Sequence, residues 1–168
     1  EAIPPRALGE KSLAVNLSDV ASMGVRPVAV LLSLSIPAEL PIAWVEELME
    51  GFTALAKQHG VALIGGDTTR SKSGLVLNIT AIGRGKTEHL KRRRDARVGD
   101  VILVSDRLGA SAAGLKEVLA GRYDTPLATI HHHPTAEIEA GAWLGKRQEV
   151  HAMMDLSDGL ASDLKHIL

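Results

Sequence analysis

The sequence predicts a mixed α/β (α+β) protein built in two lobes. Three observations carry that expectation: aliphatic runs of strand length, amphipathic stretches of helical spacing between them, and one abrupt shift to basic residues at 86–97. With 168 residues, 45% of them hydrophobic, the chain can bury a core. Aromatic residues make up only 2%, so Ala, Val, Leu and Ile must pack that core. The same scarcity removes stacking platforms for bases and argues against nucleic-acid binding. Nineteen basic residues balance twenty acidic ones, so no overall field steers the chain to a polyanion or a membrane. The absence of cysteine excludes disulfides, thiolate zinc sites and thiol nucleophiles. No apolar run reaches the ~18 residues of a spanning helix, because Ser33 and Ser35 interrupt the best one. A cytoplasmic protein is expected.

The elements follow in order. Leu13, Leu17 and Val20 recur at helical spacing, and Gly24 suits the position just past a helix end. Residues 28–36 are rich in aliphatics and stop at Pro37, which fits a buried strand. Pro41 suits a first helical position, Trp44, Val45, Leu48, Phe52, Leu55 and Ala56 form an apolar stripe, and Gly60 ends it. Residues 61–64 and 75–82 read as strands flanking a Gly65-Gly66-Asp67-Thr68-Thr69 loop. The basic run, with Lys91-Arg92-Arg93-Arg94 at its centre, reads as a solvated linker between an N-terminal lobe, 1–88, and a second lobe, 89–168. Beyond it come a strand at 101–104, a helix of small residues from 108, a helix at 138–144, and a strand at 152–154 that leads into Asp155. A last helix carries Leu160, Leu164, Ile167 and Leu168 in phase to the final residue, without a stop signal. With Glu1 in place of Met, this reads as a fragment whose lobes are incomplete at their outer ends.

Three acidic elements interrupt the pattern. Asp67 follows two glycines and precedes two hydroxyls, a combination that can bring backbone close to a bulky anion and offer Mg²⁺ a hard oxygen. An ordinary tight turn would look the same. Asn16-Leu17-Ser18-Asp19 sits within a helical pattern although Asn, Ser and Asp are indifferent helix formers, so it is either a solvated face or a ligand cluster. Asp155-Leu156-Ser157-Asp158-Gly159-Leu160 opens a helix, where backbone N–H groups favour anions and one polar residue serves as a cap. Capping leaves the second aspartate unexplained, because two close carboxylates repel unless a cation lies between them.

Two further patterns mislead. Residues 141–146 approximate a Walker A loop, but the glycines are too close and Arg147 stands where a hydroxyl would ligate Mg²⁺. His131-His132-His133 offers imidazoles on adjacent positions, which point apart on any regular backbone, and Pro134 follows, so a surface turn is expected.

In order along the chain, Asn16-Leu17-Ser18-Asp19, Gly65-Gly66-Asp67-Thr68-Thr69, Leu108-Gly109 with Ser111-Ala112-Ala113-Gly114-Leu115, and Asp155-Leu156-Ser157-Asp158-Gly159-Leu160 resemble the thiamine-monophosphate kinase family. That family shares a superfamily with aminoimidazole-ribonucleotide synthetase, selenophosphate synthetase and a hydrogenase maturation factor. The resemblance implies a two-lobed architecture of that superfamily's type, an N-terminal lobe that dimerises through its sheet, and a truncated C-terminal α/β lobe. It also implies Mg·ATP near the subunit interface and direct in-line transfer of phosphate onto thiamine monophosphate, giving thiamine diphosphate. Carried over by position, Asp19, Asp67, Asp155 and Asp158 would ligate several Mg²⁺ ions, and Gly66, Asp67, Arg93 and Ser157 would contact ATP. No protein nucleophile or general base is assigned, because the acceptor phosphate is already ionised. Asp95 stands where the family has glycine, and Pro134-Thr135-Ala136-Glu137 departs from the family's Pro-x-Pro-Arg. The family's Gly-Asp-Asp, Ser-Thr-Asp and Gly-Gly-Glu-Asp-Tyr segments have no counterpart here. A sister ATP-dependent enzyme and a non-catalytic nucleotide-binding or dimerisation fragment are the rival expectations.

Overall fold

Alternation along one strand sets the layers. In β1 (Arg26–Pro37), Val30, Leu32 and Leu34 are buried, while Leu31, Ser33 and Ser35 take the other face. The computed structural model describes residues 2–168. It runs from α1 (Pro5–Ser22) through β1 to α2 (Ile42–Gln58), β2 (Ala62–Ser71) and β3 (Val76–Arg84). Short helices follow: α3 (Ala110–Leu119), α4 (Pro126–His132), α5 (Ile138–Gly145) and α6 (Leu160–Asp163). Strand order is β2-β1-β3, with β1 parallel to β2 through the α2 crossover and antiparallel to β3.

Leu13 and Leu17 of α1, Leu48 and Phe52 of α2, and Val30 of β1 are completely or almost completely buried. Each contributes about 1.5–3 kcal/mol by leaving water. The helices therefore cover one face of the sheet, and the Leu31, Ser33, Ser35 face stays open. Among the described residues no helix is long and apolar enough to cross a membrane.

Helix α5 joins this body from far along the chain. Ala136 and Ile138 enter its core cluster, and a Cβ added at Gly141 would lie 2.3 Å from the Ala21 carbonyl oxygen. The two glycines of the Walker-like pattern are thus close-packing residues on α1 and its C-terminal turn: a Cβ at Gly145 would meet the Gly24 oxygen at 2.2 Å. Arg26 and Glu139 add a two-point ion pair between β1 and α5.

Several expectations are corrected here. Residues 65–69 are not a loop, because β2 continues through them to Ser71, paired with β1 along its length. Backbone pairing to a strand already in place overrides the poor strand propensity of Gly-Gly-Asp. Residues 101–104 and 152–154 form no strand. A strand needs a ladder, and neither run has a partner strand among the described residues; Val101 and Leu103 are 81% and 84% exposed. The last helix is a single α turn, α6, continued by a 3-10 turn at Leu164–His166.

The basic run is not wholly solvated. Lys91 is buried, donates from Nζ to the Arg147 carbonyl at 2.6 Å, and donates its N–H to Met23 at 3.1 Å. His131 and His132 lie in α4 rather than in a surface turn, since Pro126 and the Thr125 cap start a helix that Pro134 cannot prevent. Lys11 Nζ donates to the His131 carbonyl at 2.8 Å and lies 3.1 Å from its Nε2, while Ser111 Oγ sits 3.0 Å from Nδ1. Burial first, and Lys11 second, hold both His131 and His132 below the usual imidazole pKa.

Candidate functional site

Two of the acidic elements meet although 136 residues separate them. Asp19 lies in the last turn of α1, and its carboxyl is within hydrogen-bonding reach of Asp155, just before the Ser-Asp-Gly loop. Partial burial and then the Asp155 carboxyl raise the Asp19 pKa, with Arg93 pulling the other way. Because Asp19 keeps an exposed side, the like-charged neighbour is the more informative cause. Arg93, in a 3-10 turn at Arg93–Asp95, brings its guanidinium to 3.8 Å from Asp155. Arginine from the basic run, aspartate from a helix and aspartate from a loop thus share one spot.

Asp155 leads into a loop with unusual internal wiring. Asp163 is 3% exposed, and its Oδ2 accepts from the N–H groups of Ser157, Asp158 and Gly159 at 2.9, 3.1 and 3.1 Å. The donors that the sequence offered to an external anion are satisfied by a carboxylate of the chain itself. Ser157 and Asp158 remain exposed on the outer side of the loop. Sequence reasoning overlooked Asp163. Its signal was its position in the first turn after the loop, where a buried carboxylate can collect the unpaired N–H groups of a helix start.

Asp67 occupies a different surface. A one-residue register shift leaves Ile64 without a Cα partner, after which Gly65, Gly66 and Asp67 stand against Leu31, Leu32 and Ser33. Asp67 therefore falls in the row of the open sheet face, and Asn78 flanks Ser33 from the other side. Its Oδ1 accepts from the Thr68 N–H at 2.8 Å, and one step along, Ser35 and Thr69 hydroxyls lie 2.8 Å apart. Gly66 is required by the sheet itself, since a Cβ there would be 1.8 Å from the Leu32 carbonyl oxygen. The open groove beside this segment, about 700 Å³, is lined by Leu32, Leu34, Met49 and Asp67, among others.

The chain thus unites Asp19, Asp155 and Arg93, carries Ser157 and Asp158 on the adjoining loop, and holds Gly66 and Asp67 on β2. Among the described residues no group of three or more His, Asp or Glu side chains is arranged to hold a metal ion. Two facing carboxylates nevertheless suit Mg²⁺, which takes one or two protein carboxylates and fills its remaining positions with water and phosphate oxygens. A cation between Asp19 and Asp155 would offset the like-charge contact that, after partial burial, raises the Asp19 pKa.

Comparison with known proteins places the fold. A family profile for AIR synthase related protein, N-terminal domain, matches residues 1–85. The chain belongs to that family. It is 42% identical over 172 residues to thiamine-monophosphate kinase of Haemophilus influenzae, covering 99% of this chain and 51% of that protein. Among solved structures it resembles thiamine-monophosphate kinase from Stenotrophomonas maltophilia at 41% identity and a TM-score of 0.88, covering 99% of this chain and 54% of the other. It also resembles AaThiL complexed with AMPPCP and TMP, at 33% identity and a TM-score of 0.89, with coverage of 98% and 53%. The chain spans about half the length of the curated relatives it matches.

Proposed function

We propose that the chain is part of an ATP-dependent kinase that phosphorylates thiamine monophosphate to thiamine diphosphate by direct, Mg²⁺-dependent in-line transfer. The observation that carries this reading is the meeting of Asp19, Asp155 and Arg93. Both reactants of such a transfer are anions, so the first requirement is a place where charge is neutralised and geometry fixed. Asp19 and Asp155 would hold Mg²⁺ with Asp158 beside them, and Asp67, on the open sheet face, would ligate a separate Mg²⁺ ion. Mg²⁺ held there would supply positive charge against the phosphates of both reactants.

Arg93 orients Asp155 and is free on its exposed side to meet a nucleotide phosphate, while the Ser157 hydroxyl and the Gly66 backbone complete the ATP contacts. The relatives support the acceptor: they are named thiamine-monophosphate kinases, and one was crystallised with AMPPCP and TMP. We further place the lobe boundary at 88/89 and the protein in the cytoplasm. The open face of the sheet, with Asp67 in its central row, suits a homodimer that would bring a second copy's acidic residues toward it.

The deciding experiment measures phosphoryl transfer from ATP to thiamine monophosphate, with and without Mg²⁺, using protein extended to the length of the relatives. Thiamine diphosphate is expected with Mg²⁺ only, and Asp67→Asn is expected to abolish turnover while the circular dichroism spectrum stays unchanged. Failure of the extended protein to form product overturns the proposal; full turnover in the variant removes Asp67 from the site.

A further inference from the structure

We infer that Asp163 is a positioning residue that aims Ser157 and Asp158 at the bound cation and nucleotide. The inference rests on the reading of the Asp155 loop given above. Its grounds are geometric. One carboxylate oxygen gathers three consecutive backbone N–H groups at 2.9–3.1 Å, and the residue that carries it is 3% exposed. Gly159, at φ +99°, makes the turn that lets all three N–H groups converge.

Two consequences follow from that wiring. The three N–H groups are consumed internally, so this loop is no phosphate-cradling nest of the kind in which backbone amides grip an anion directly. With the amides turned inward, the Ser157 and Asp158 side chains are left on the exposed surface, beside the Asp155 carboxyl that faces Asp19. Asp163 is buried, with its Oδ2 taken up by the three amides, so it would not itself reach substrate or metal. It acts through the loop, as outer partners of metal ligands do when they fix ligand orientation.

The test uses full-length protein bearing Asp163→Ala or Asp163→Asn, since asparagine keeps the shape and one acceptor oxygen. Titration of Mg²⁺ in the presence of a non-hydrolysable ATP analogue is expected to show affinity lowered about 10- to 100-fold in the alanine variant and by less in the asparagine variant. The KM for thiamine monophosphate is expected to stay within about twofold. In metal-free wild type, amide exchange at residues 157–159 should be slow, and in the variants fast. Wild-type Mg²⁺ affinity in Asp163→Asn and in any folded Asp163→Ala protein overturns the inference, as do fast-exchanging amides in wild type. Should wild type itself bind neither Mg²⁺ nor the analogue, the functional reading fails, and Asp163 with it.

Discussion

The first 84 residues and the stretch after Arg93 obey the same rules of patterning with different outcomes. In the first region every aliphatic run finds a neighbour: β1 lies between β2 and β3, and α1 and α2 close over it. In the second, the run at 101–104 is as aliphatic as β1 yet forms no strand and stays exposed, and regular structure is confined to short helices and 3-10 turns. The difference teaches that an apolar pattern specifies a strand only where a ladder exists to receive it. It also explains why the acidic site straddles both regions. Asp19 stands on the rigid body, whereas Arg93 and Asp155 are brought to it by segments whose own structure is slight.

The sharpest way to break that comparison is to weaken each region in turn. Phe52→Ala in the body should cost about 3–5 kcal/mol in denaturant unfolding, whereas Leu103→Ala, at 84% exposure, should change stability by less than about 0.5 kcal/mol. Equal losses would mean that the two regions share one core. At the junction, Gly141→Ala should cost about 1–3 kcal/mol, because the new Cβ meets the Ala21 carbonyl and forces α5 off α1. An unchanged unfolding midpoint there would detach α5 from the body.

The smallest effect lies at the site. The Asp19 pKa is raised in the fold, so the folded state binds that proton more tightly than the unfolded chain does. Its contribution to stability is therefore greatest in acid and is lost as pH rises through the folded value. Asp19→Asn should stabilise the metal-free protein at neutral pH by under about 1 kcal/mol, a screened interaction, and should flatten the fall in melting temperature as pH rises above the ordinary carboxylate range. A variant less stable than wild type at neutral pH, without metal, would show that Asp19 is held by attraction and not strained by Asp155.

Much of the body was legible in the sequence. Leu13, Leu17 and Phe52 announce their helices by spacing, and Pro37, Gly24 and Gly60 mark ends that the structure keeps. The misreadings have physical sources. Gly65-Gly66-Asp67 has the composition of a turn, and only its pairing with residues 31–33 makes it strand. The histidine run looked like a turn because Pro134 dominates its local pattern, yet Pro126 had already set a helix in motion. Of the candidate site, the acidic residues were visible as a conflict of charges with local propensity. That Asp19 and Asp155 meet depends on the path of the chain, which no local pattern carries. Asp163 was hidden because its role is defined by three backbone groups that every sequence possesses.

Ile64 is the residue on which the placement of Asp67 turns. Side chains on a strand alternate, so inserting or removing one residue exchanges the two faces for everything downstream. Were Ile64 instead paired with Leu31 in regular register, Asp67 would stand against Leu34 and point into the aliphatic layer beneath the helices, and Gly66 would take its place opposite Ser33. The chemistry of this strand is thus governed by parity: the one unpaired residue before position 65 decides which face carries the Asp67 carboxylate.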